Sequence, residues 1–285
     1  MMIFNFIILL VYTLLLSISL LGYGTLAFKY IHTDTIEDKF YVGEKAFYSL
    51  LFLIPLSLVI HFFFSFNYFI SIVIFLGGIL IYLKQQKFEY KFNIKKIIYI
   101  LLLLVIFIPY FLLTSHHDDF YYYHLPYLNV LEHSKIIFGL ANLNTVLTYP
   151  QNLWFDIFAL FKLPFIKYNG LQSLNGIFTL FFIVYCIENF TKSEKIIIKI
   201  ISILYIIFTL SLFSRLRDHG AEIIPQLLML MSYLNIMKIW INKDNFKSTY
   251  LINIIIFFTL AFLLRLSSVI IIPLVAIIFI QNNKY

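Results

Sequence analysis

Long apolar stretches separated by short polar loops occupy most of the chain. They fall at 3–28, 46–63, 66–83, 94–114, 170–190, 196–214, 222–241, 249–265 and 267–281. A helix needs about 20 mainly apolar residues to cross the hydrocarbon core of a bilayer. Backbone groups in lipid must be bonded within the segment, which favours helices. The pattern therefore predicts an all-α fold, a polytopic transmembrane bundle of about nine spans, in which the shorter stretches are tilted, broken or re-entrant.

The composition supports a membrane protein and excludes other classes. Of the 285 residues, 62% are hydrophobic and 12% are charged, whereas soluble domains have about 45–50% apolar and about 25% charged residues. This excludes a soluble globular enzyme, a disordered chain and a secreted disulfide scaffold. The single cysteine, Cys186, excludes an internal disulfide framework. The net charge of +7 arises in loops between apolar stretches, so it predicts membrane topology and no nucleic-acid partner.

Three groups of lysines predict the orientation of the bundle. They are Lys84, Lys87, Lys91, Lys95 and Lys96; Lys192, Lys195 and Lys199; and Lys238, Lys243 and Lys247. Loops rich in lysine stay on the cytoplasmic side. This places the loop at 29–45 inside as well. The connection at 115–169 and the turn at 214–222 then share the outer face.

The long outer connection is rich in polar and aromatic residues. Apolar side chains recur at helical spacing after Asp119, and the pattern predicts two amphipathic helices lying on the membrane surface, joined by the loop GLANLNTVLTYP. The alternative for 150–167 is another span. Asp156 and Lys162 favour the surface helix, because charge at bilayer depth is costly.

Two adjacent carboxylates, Asp118 and Asp119, open the outer connection. Neighbouring carboxylates raise each other's proton affinity, which suits one of them to act as a general base near neutral pH. A plain water-exposed loop start is the alternative. His116 and His117 precede the pair and offer further ligands, so a divalent cation stays open, although the spacing matches no specific metal motif.

The outer turn at 214–222 holds two of the three arginines in the chain, Arg215 and Arg217. Guanidinium groups match the geometry of phosphate and carboxylate, which indicates an anion-binding turn. Asp218, His219 and Glu222 follow closely. The alternative is a solvated turn in which Asp218 caps the next helix.

The third arginine, Arg265, lies between two apolar stretches. At membrane depth it should face the bundle interior and pair with an anionic group, for which lipid phosphate or pyrophosphate is a natural candidate. The alternative is an arginine that snorkels at the end of a span.

A span followed by D-x-x-x-Y-H-L-P, then N-x-N and Y-P, resembles the GT-C membrane glycosyltransferases, among them protein mannosyltransferases and aminoarabinose transferases. The matching residues are Asp119, Tyr123, His124, Leu125, Pro126, Gly139, Leu140, Ala141, Asn142, Leu143, Asn144, Tyr149, Pro150, Gly220, Ala221, Glu222 and Arg265 to Ser268. The resemblance covers residues 94–285, which would form the catalytic core, while 1–93 would add further transmembrane helices. Family members commonly continue beyond the equivalent of residue 281, so a truncated C-terminus is expected.

The resemblance implies transfer of a sugar, with inversion, from a polyprenyl-phosphate donor to a glycan, lipid or protein acceptor. Asp119 would be the base, and Asp118 would assist it or bind a cation. The remaining residues would bind substrate, with the arginines on the leaving phosphate; they are Tyr123, His124, Asn142, Asn144, Tyr149, Arg215, Arg217, Asp218, His219, Glu222 and Arg265. No resident metal or other cofactor is implied with certainty.

Two other functions stay open at this point. A polysaccharide polymerase or ligase of another membrane class would also use outer arginines on a lipid pyrophosphate. A transporter would show internal repeats and paired broken helices, and no repeat is present. The bias of the sequence to Ile, Lys, Phe and Asn is typical of an AT-rich bacterial genome. The expected location is therefore the bacterial inner membrane, with the site on the periplasmic or extracellular face.

Overall fold

The computed structural model describes residues 2–32, 42–89, 120–143, 152–166, 173–212, 220–241 and 248–271, and every regular element in these ranges is helical. The α-helices are α1 (Met2–Ile31), α2 (Val42–Phe63), α3 (Tyr68–Glu89), α4 (Leu125–His133), α5 (Leu140–Leu143), α6 (Asn152–Leu160), α7 (Ser173–Lys192), α8 (Ile196–Ser211), α9 (Ile223–Ile241) and α10 (Ser248–Leu264). A π-helical turn, Phe120–His124, leads into α4, and a 3-10 helix, Leu266–Ile271, follows α10.

Five helices are long and apolar enough to cross a membrane: Phe6–Ile31, Val42–Phe63, Tyr68–Gln85, Ser173–Lys192 and Ile223–Ile241. Two further apolar helices, α8 and α10, have 16 and 17 residues. The predicted all-helical fold is therefore confirmed for the described residues, and five of its helices have the length and composition of membrane spans. The apolar stretch at 94–114 lies outside the described residues, as does most of 267–281, so the count of nine spans stays a prediction.

The described loops group at two ends of the bundle. At one end, the backbone N–H of Phe66 donates to the carbonyl of Leu131 at 2.8 Å, and that of Ile136 donates to the carbonyl of His61 at 3.0 Å. Asn175 Nδ2 donates to the carbonyl of Gly220 at 2.9 Å. We call this the upper end; it comprises residues 61–71, 120–143, 152–166, 173–175, 220–222 and 265.

The opposite end, which we call the lower end, comprises residues 32, 42–48, 185–192, 235–241 and 250–253. There the start of α2 contacts the last turns of α7. The backbone N–H groups of Val42 and Gly43 donate hydrogen bonds to the carboxylate of Glu188. The described parts of the loops that the lysines assign to the cytoplasmic side lie at the lower end. The described parts of the loops assigned to the outer face lie at the upper end. The identity of the cytoplasmic end stays a prediction.

Glycines allow three pairs of helices to approach at backbone distance. A Cβ atom on Gly22 of α1 would lie 1.9 Å from the carbonyl oxygen of Gly78 in α3. A Cβ on Gly24 would lie 1.8 Å from the carbonyl oxygen of Lys45 in α2, and one on Gly43 would lie 2.2 Å from that of Phe181 in α7. Small residues at such crossings let helices pack closely where lipid supplies no hydrophobic drive. These crossings hold α1, α2, α3 and α7 together.

The helix at 152–160 is buried, and its prediction as a surface helix is wrong. α6 has only nine residues, too few to span a bilayer. Trp154 and Phe158 are almost fully buried, and so is Asp156 on a different face. Contacts with α2, α3, α4 and α10 surround α6. The polar residues that suggested a water-facing side instead form pairs inside the protein. By contrast, α4 is amphipathic as predicted, with Leu128 and Leu131 buried and Asn129 exposed.

One lysine also departs from its predicted place. Lys238 was expected to mark a loop, but it lies inside α9 and is 5% exposed. Its neighbours in the sequence pattern, Lys243 and Lys247, lie outside the described residues. From the sequence alone, a charged side chain in an otherwise apolar stretch indicates a loop, because the packing that surrounds it is not visible in the chain itself.

Replacing Gly78 by alanine should disturb the crossing of α1 and α3. The added methyl group would meet Ser19 Oγ at 2.2 Å and the Ser19 carbonyl oxygen at 2.6 Å, and overpacking typically costs about 1–3 kcal/mol. Gly220→Ala is the control, because no described residue other than its chain neighbours has an atom within 4 Å of its Cβ position. Thermal unfolding in detergent should show a lower midpoint for Gly78→Ala only. Equal midpoints for the two variants would contradict the close crossing.

Candidate functional site

The upper end contains a buried carboxyl group, Asp156 of α6. Its Oδ1 accepts a hydrogen bond from the Tyr127 hydroxyl of α4 at 3.0 Å. Burial raises the pKa of Asp156 to about 7, and the Tyr127 hydrogen bond partly opposes this shift. Burial and the nearby carboxylate raise the pKa of Tyr127, so its hydroxyl remains the donor. The pair joins α4 to α6 and places a group that titrates near neutral pH inside the protein.

An ion pair lies beside a cavity at the same end. Lys162, which follows α6, forms an ion pair with Glu132 of α4. Both side chains are largely buried, and both line a cavity of about 210 Å³. The first turn of α3 completes the wall with Asn67, Tyr68 and Ser71. Charge of both signs and an aromatic ring therefore line one half-open cavity.

The predicted substrate-binding residues of this region occupy different environments. His124 is buried, with its ring 4.3 Å from that of Phe155 between centroids. Asn142 in α5 is exposed, three residues after Gly139, whose φ of 81° forms the turn before that helix. Tyr123 lies in the π-helical turn that begins at Phe120. The substrate-binding roles of these three residues stay predictions.

Arg265 pairs with an anionic side chain of the protein, Glu222, in place of the lipid phosphate that the sequence analysis named as a candidate. Arg265 Nη1 lies 2.8 Å from Glu222 Oε1, and both side chains are partly exposed. Glu222 precedes α9 and Arg265 follows α10, so the pair joins two helices at the upper end. Exposed ion pairs typically contribute only about 0–1 kcal/mol, so a competing anion would displace Glu222 at small cost.

Eight predicted site residues lie outside the described residues: Asp118, Asp119, Asn144, Tyr149, Arg215, Arg217, Asp218 and His219. The same holds for His116 and His117, so the suggested divalent cation is untested. Within the ranges that the structure describes, no three His, Cys, Asp or Glu side chains are close enough to hold a metal ion.

The lower end contains a polar network that the sequence analysis did not find. Asn253 Nδ2 of α10 donates to Glu44 Oε1 of α2, and the Tyr48 hydroxyl donates to Asn253 Oδ1. His32 Nε2 lies 2.8 Å from the Tyr48 hydroxyl oxygen. Because that hydroxyl uses its proton on Asn253, His32 must donate from Nε2. Burial lowers the pKa of His32. The network links the end of α1 to α2 and α10.

Lys238 brings α9 into the same region. Its ammonium group lies 5.4 Å from the ring centroid of Tyr185 and 5.3 Å from that of Tyr250. Glu44 and Lys238 are buried and interact electrostatically. The sequence signal was present: both are ionisable residues within or beside apolar stretches, and such residues face partners in a bundle interior. From the sequence alone, Glu44 falls in a loop of mixed charge and Lys238 falls in a basic loop.

A family model described as "Domain of unknown function (DUF8201)" matches residues 6–285. The chain belongs to this family. The DUF8201 match runs without interruption from α1 to beyond the 3-10 helix, so the upper and lower ends both lie within it. No curated protein and no solved structure matches the chain.

The titration of Asp156 should be visible in the pH dependence of stability. An aspartate in an unfolded chain titrates near 3.8, and the folded pKa is about 7. The folded state therefore holds an extra proton between these values, and its stability falls as pH rises through that range, by at most about 1.4 kcal/mol per pH unit.

Asp156→Asn abolishes this titration. The stability of the variant relative to wild type should therefore increase between pH 5 and pH 8, measured as the thermal midpoint in detergent. Glu194→Gln, which removes an exposed carboxylate, is the control and should show no such trend. A difference between Asp156→Asn and wild type that stays constant with pH would contradict the assignment.

The buried charges at the lower end should behave as a coupled pair. Glu44→Gln removes one partner of this buried electrostatic interaction, and breaking a buried pair from one side typically costs about 3–5 kcal/mol. The double variant Glu44→Gln/Lys238→Met removes both charges and should recover much of the loss. A double-mutant cycle of thermal midpoints measures the coupling, with Lys195→Met as the exposed control. Additive effects of the two substitutions would argue against coupling.

Proposed function

We propose that this chain is an integral membrane glycosyltransferase that transfers a sugar from a polyprenyl-phosphate donor to a cell-envelope glycan, lipid or protein. The proposal rests on the residues around Asp119 that resemble the GT-C enzymes. It is supported by one structural observation: two side chains of the turn that directly follows Asp119 are buried, although Tyr121 and Tyr122 between them are exposed. Phe120 is 2% exposed and His124 is 6% exposed. A catalytic loop needs such an anchor if it is to hold a base in one position.

The chemical environment of the upper end also supports the proposal. A lipid-borne donor requires a site at the boundary between apolar helices and water. At the upper end, paired charges (Glu132 with Lys162, Glu222 with Arg265) lie next to spans that expose apolar side chains. A polyprenyl chain would remain against the apolar helices while its phosphate and sugar reach the polar groups.

In the proposed reaction, the Asp119 carboxylate takes the proton from an acceptor hydroxyl. The hydroxyl oxygen forms a bond to C1 of the donor sugar while the bond from C1 to the phosphate oxygen breaks, so the configuration at C1 is inverted. The leaving polyprenyl phosphate gains negative charge, which Arg215, Arg217 or Arg265 would neutralise. For Arg265, the phosphate would replace Glu222, and the partial exposure of that pair keeps the exchange inexpensive.

A transporter is a second candidate, and one observation favours it. Glu44 and Lys238 are ionisable groups buried in membrane-spanning helices, and such groups often mark ion or proton pathways. The network around them also has a plain structural role, since it ties α1, α2, α9 and α10 together. Glycosyl transfer therefore stays our first proposal, and a polymerase or ligase of another class is an outcome of its test.

Sugar transfer in membranes from a labelled polyprenyl-phosphate sugar tests the proposal. Asp119→Asn should lower transfer by about 10²–10⁴-fold, the usual contribution of a general base, while Asp118→Asn should have a smaller effect. Equal expression of the variants is the control. Transfer that survives in Asp119→Asn but disappears in Arg215→Gln would instead favour the polymerase or ligase class.

A further inference from the structure

A cavity at the upper end has the size of a single small ring. It lies between the first turn of α3, the end of α4 and the residues that follow α6, and its volume is about 210 Å³. Pockets for drug-sized ligands usually start at about 300 Å³. The cavity is open on one side, and its volume fits one monosaccharide-sized group.

The two charged side chains of the lining compensate each other. Lys162 and Glu132 form an ion pair within the wall, and the rest of the lining carries no carboxylate or ammonium group. A site for phosphate would be expected to have excess positive charge, usually from arginine. Compensated charge suits a neutral ligand that makes several hydrogen bonds.

The lining supplies both donors and acceptors. A carboxylate has about four acceptor positions, so Glu132 can accept sugar hydroxyls while it stays bonded to Lys162. Asn67 Oδ1 accepts the N–H of Ile70 at 3.0 Å, which fixes the orientation of the amide group. His133 Nδ1 lies 2.9 Å from the Asn129 carbonyl and must donate to it, so the neutral ring has its acceptor at Nε2. Hydroxyl groups, which both donate and accept, match this mixture.

An aromatic ring forms one side of the cavity. Tyr68 is 48% exposed, and its centroid lies 6.0 Å from Lys162 Nζ. The C–H face of a pyranose packs on such a ring, because the face of an aromatic system carries partial negative charge. The carboxylate of Glu132 and the ammonium group of Lys162 can form hydrogen bonds with the hydroxyl groups at the edge of a sugar ring. The Tyr68 ring can make an apolar contact with the face of the same sugar.

We infer that this cavity binds one neutral pyranose unit. The inference rests on the proposed function for the source of the sugar. The bound pyranose would be either a unit of the acceptor glycan or the sugar of the donor. Tyr68 and Glu132 would be the residues that select the sugar.

Direct binding tests the cavity without any transfer reaction. The full chain in detergent is titrated with neutral methyl glycosides, and with inorganic phosphate as a competitor, by saturation-transfer NMR. Tyr68→Ala and Glu132→Gln should each weaken glycoside binding at least tenfold, whereas Tyr68→Phe should retain it. Phe69→Ala is the matched control, because Phe69 is the next residue of α3, is 75% exposed and does not line the cavity. Thermal midpoints of all variants show that they are folded.

Three results would overturn the inference: no glycoside binds to the wild type, phosphate displaces the bound glycoside, or Tyr68→Ala binds as well as Phe69→Ala. If transfer is detected, Tyr68→Ala should raise the KM for one substrate and leave kcat nearly unchanged. A change in the acceptor KM assigns the cavity to the acceptor, and a change in the donor KM assigns it to the donor. If glycoside binds but transfer is unchanged in Asp119→Asn, the proposed function is rejected, while the cavity remains a pyranose-binding site.

Discussion

Burial of charge is the constraint on which the arrangement of this bundle depends. An ionised group removed from water is costly unless it is paired and hydrogen-bonded. The described helices meet this requirement across helix boundaries: Glu44 with Asn253 joins α2 to α10, and Glu132 with Lys162 joins α4 to the end of α6. Each pair forms only when its two elements are in register. The pairs therefore select one arrangement from many that apolar packing alone would allow.

The upper end is organised around the short helix α6. Its aromatic residues fill the centre, where Trp154 packs edge-on against Phe158 and Phe178. Asp156 of α6 accepts a hydrogen bond from Tyr127 of α4, and Lys162, which follows α6, forms an ion pair with Glu132 of α4. One nine-residue element thus supplies both the core contact and the polar contact that hold the loop segment of 120–143 against the spans. The cavity at the start of α3 exists because this segment is docked there.

The two ends differ in what they offer to chemistry. The lower end contains a hydrogen-bonded network in which Asn253 joins Glu44 to Tyr48 and Tyr48 joins Asn253 to His32. Such a network stiffens the structure. The upper end has a cavity, a partly exposed ion pair and a carboxyl group with a pKa near neutrality. A substrate that arrives from the membrane boundary would find exchangeable partners only at the upper end, among the described residues.

The sequence by itself determined the helical membrane class, because stretches of about 20 apolar residues have few other stable forms in lipid. It also indicated the amphipathic helix α4 and an anionic partner for Arg265. It could not reveal that α6 is buried, since Asp156 and Lys162 look solvent-facing until Tyr127 and Glu132 are seen beside them. The same holds for Lys238 and Glu44, which lie far apart in the chain. Partners from separate helices meet only through the tertiary fold, so local composition shows that a charge is present but not which group compensates it.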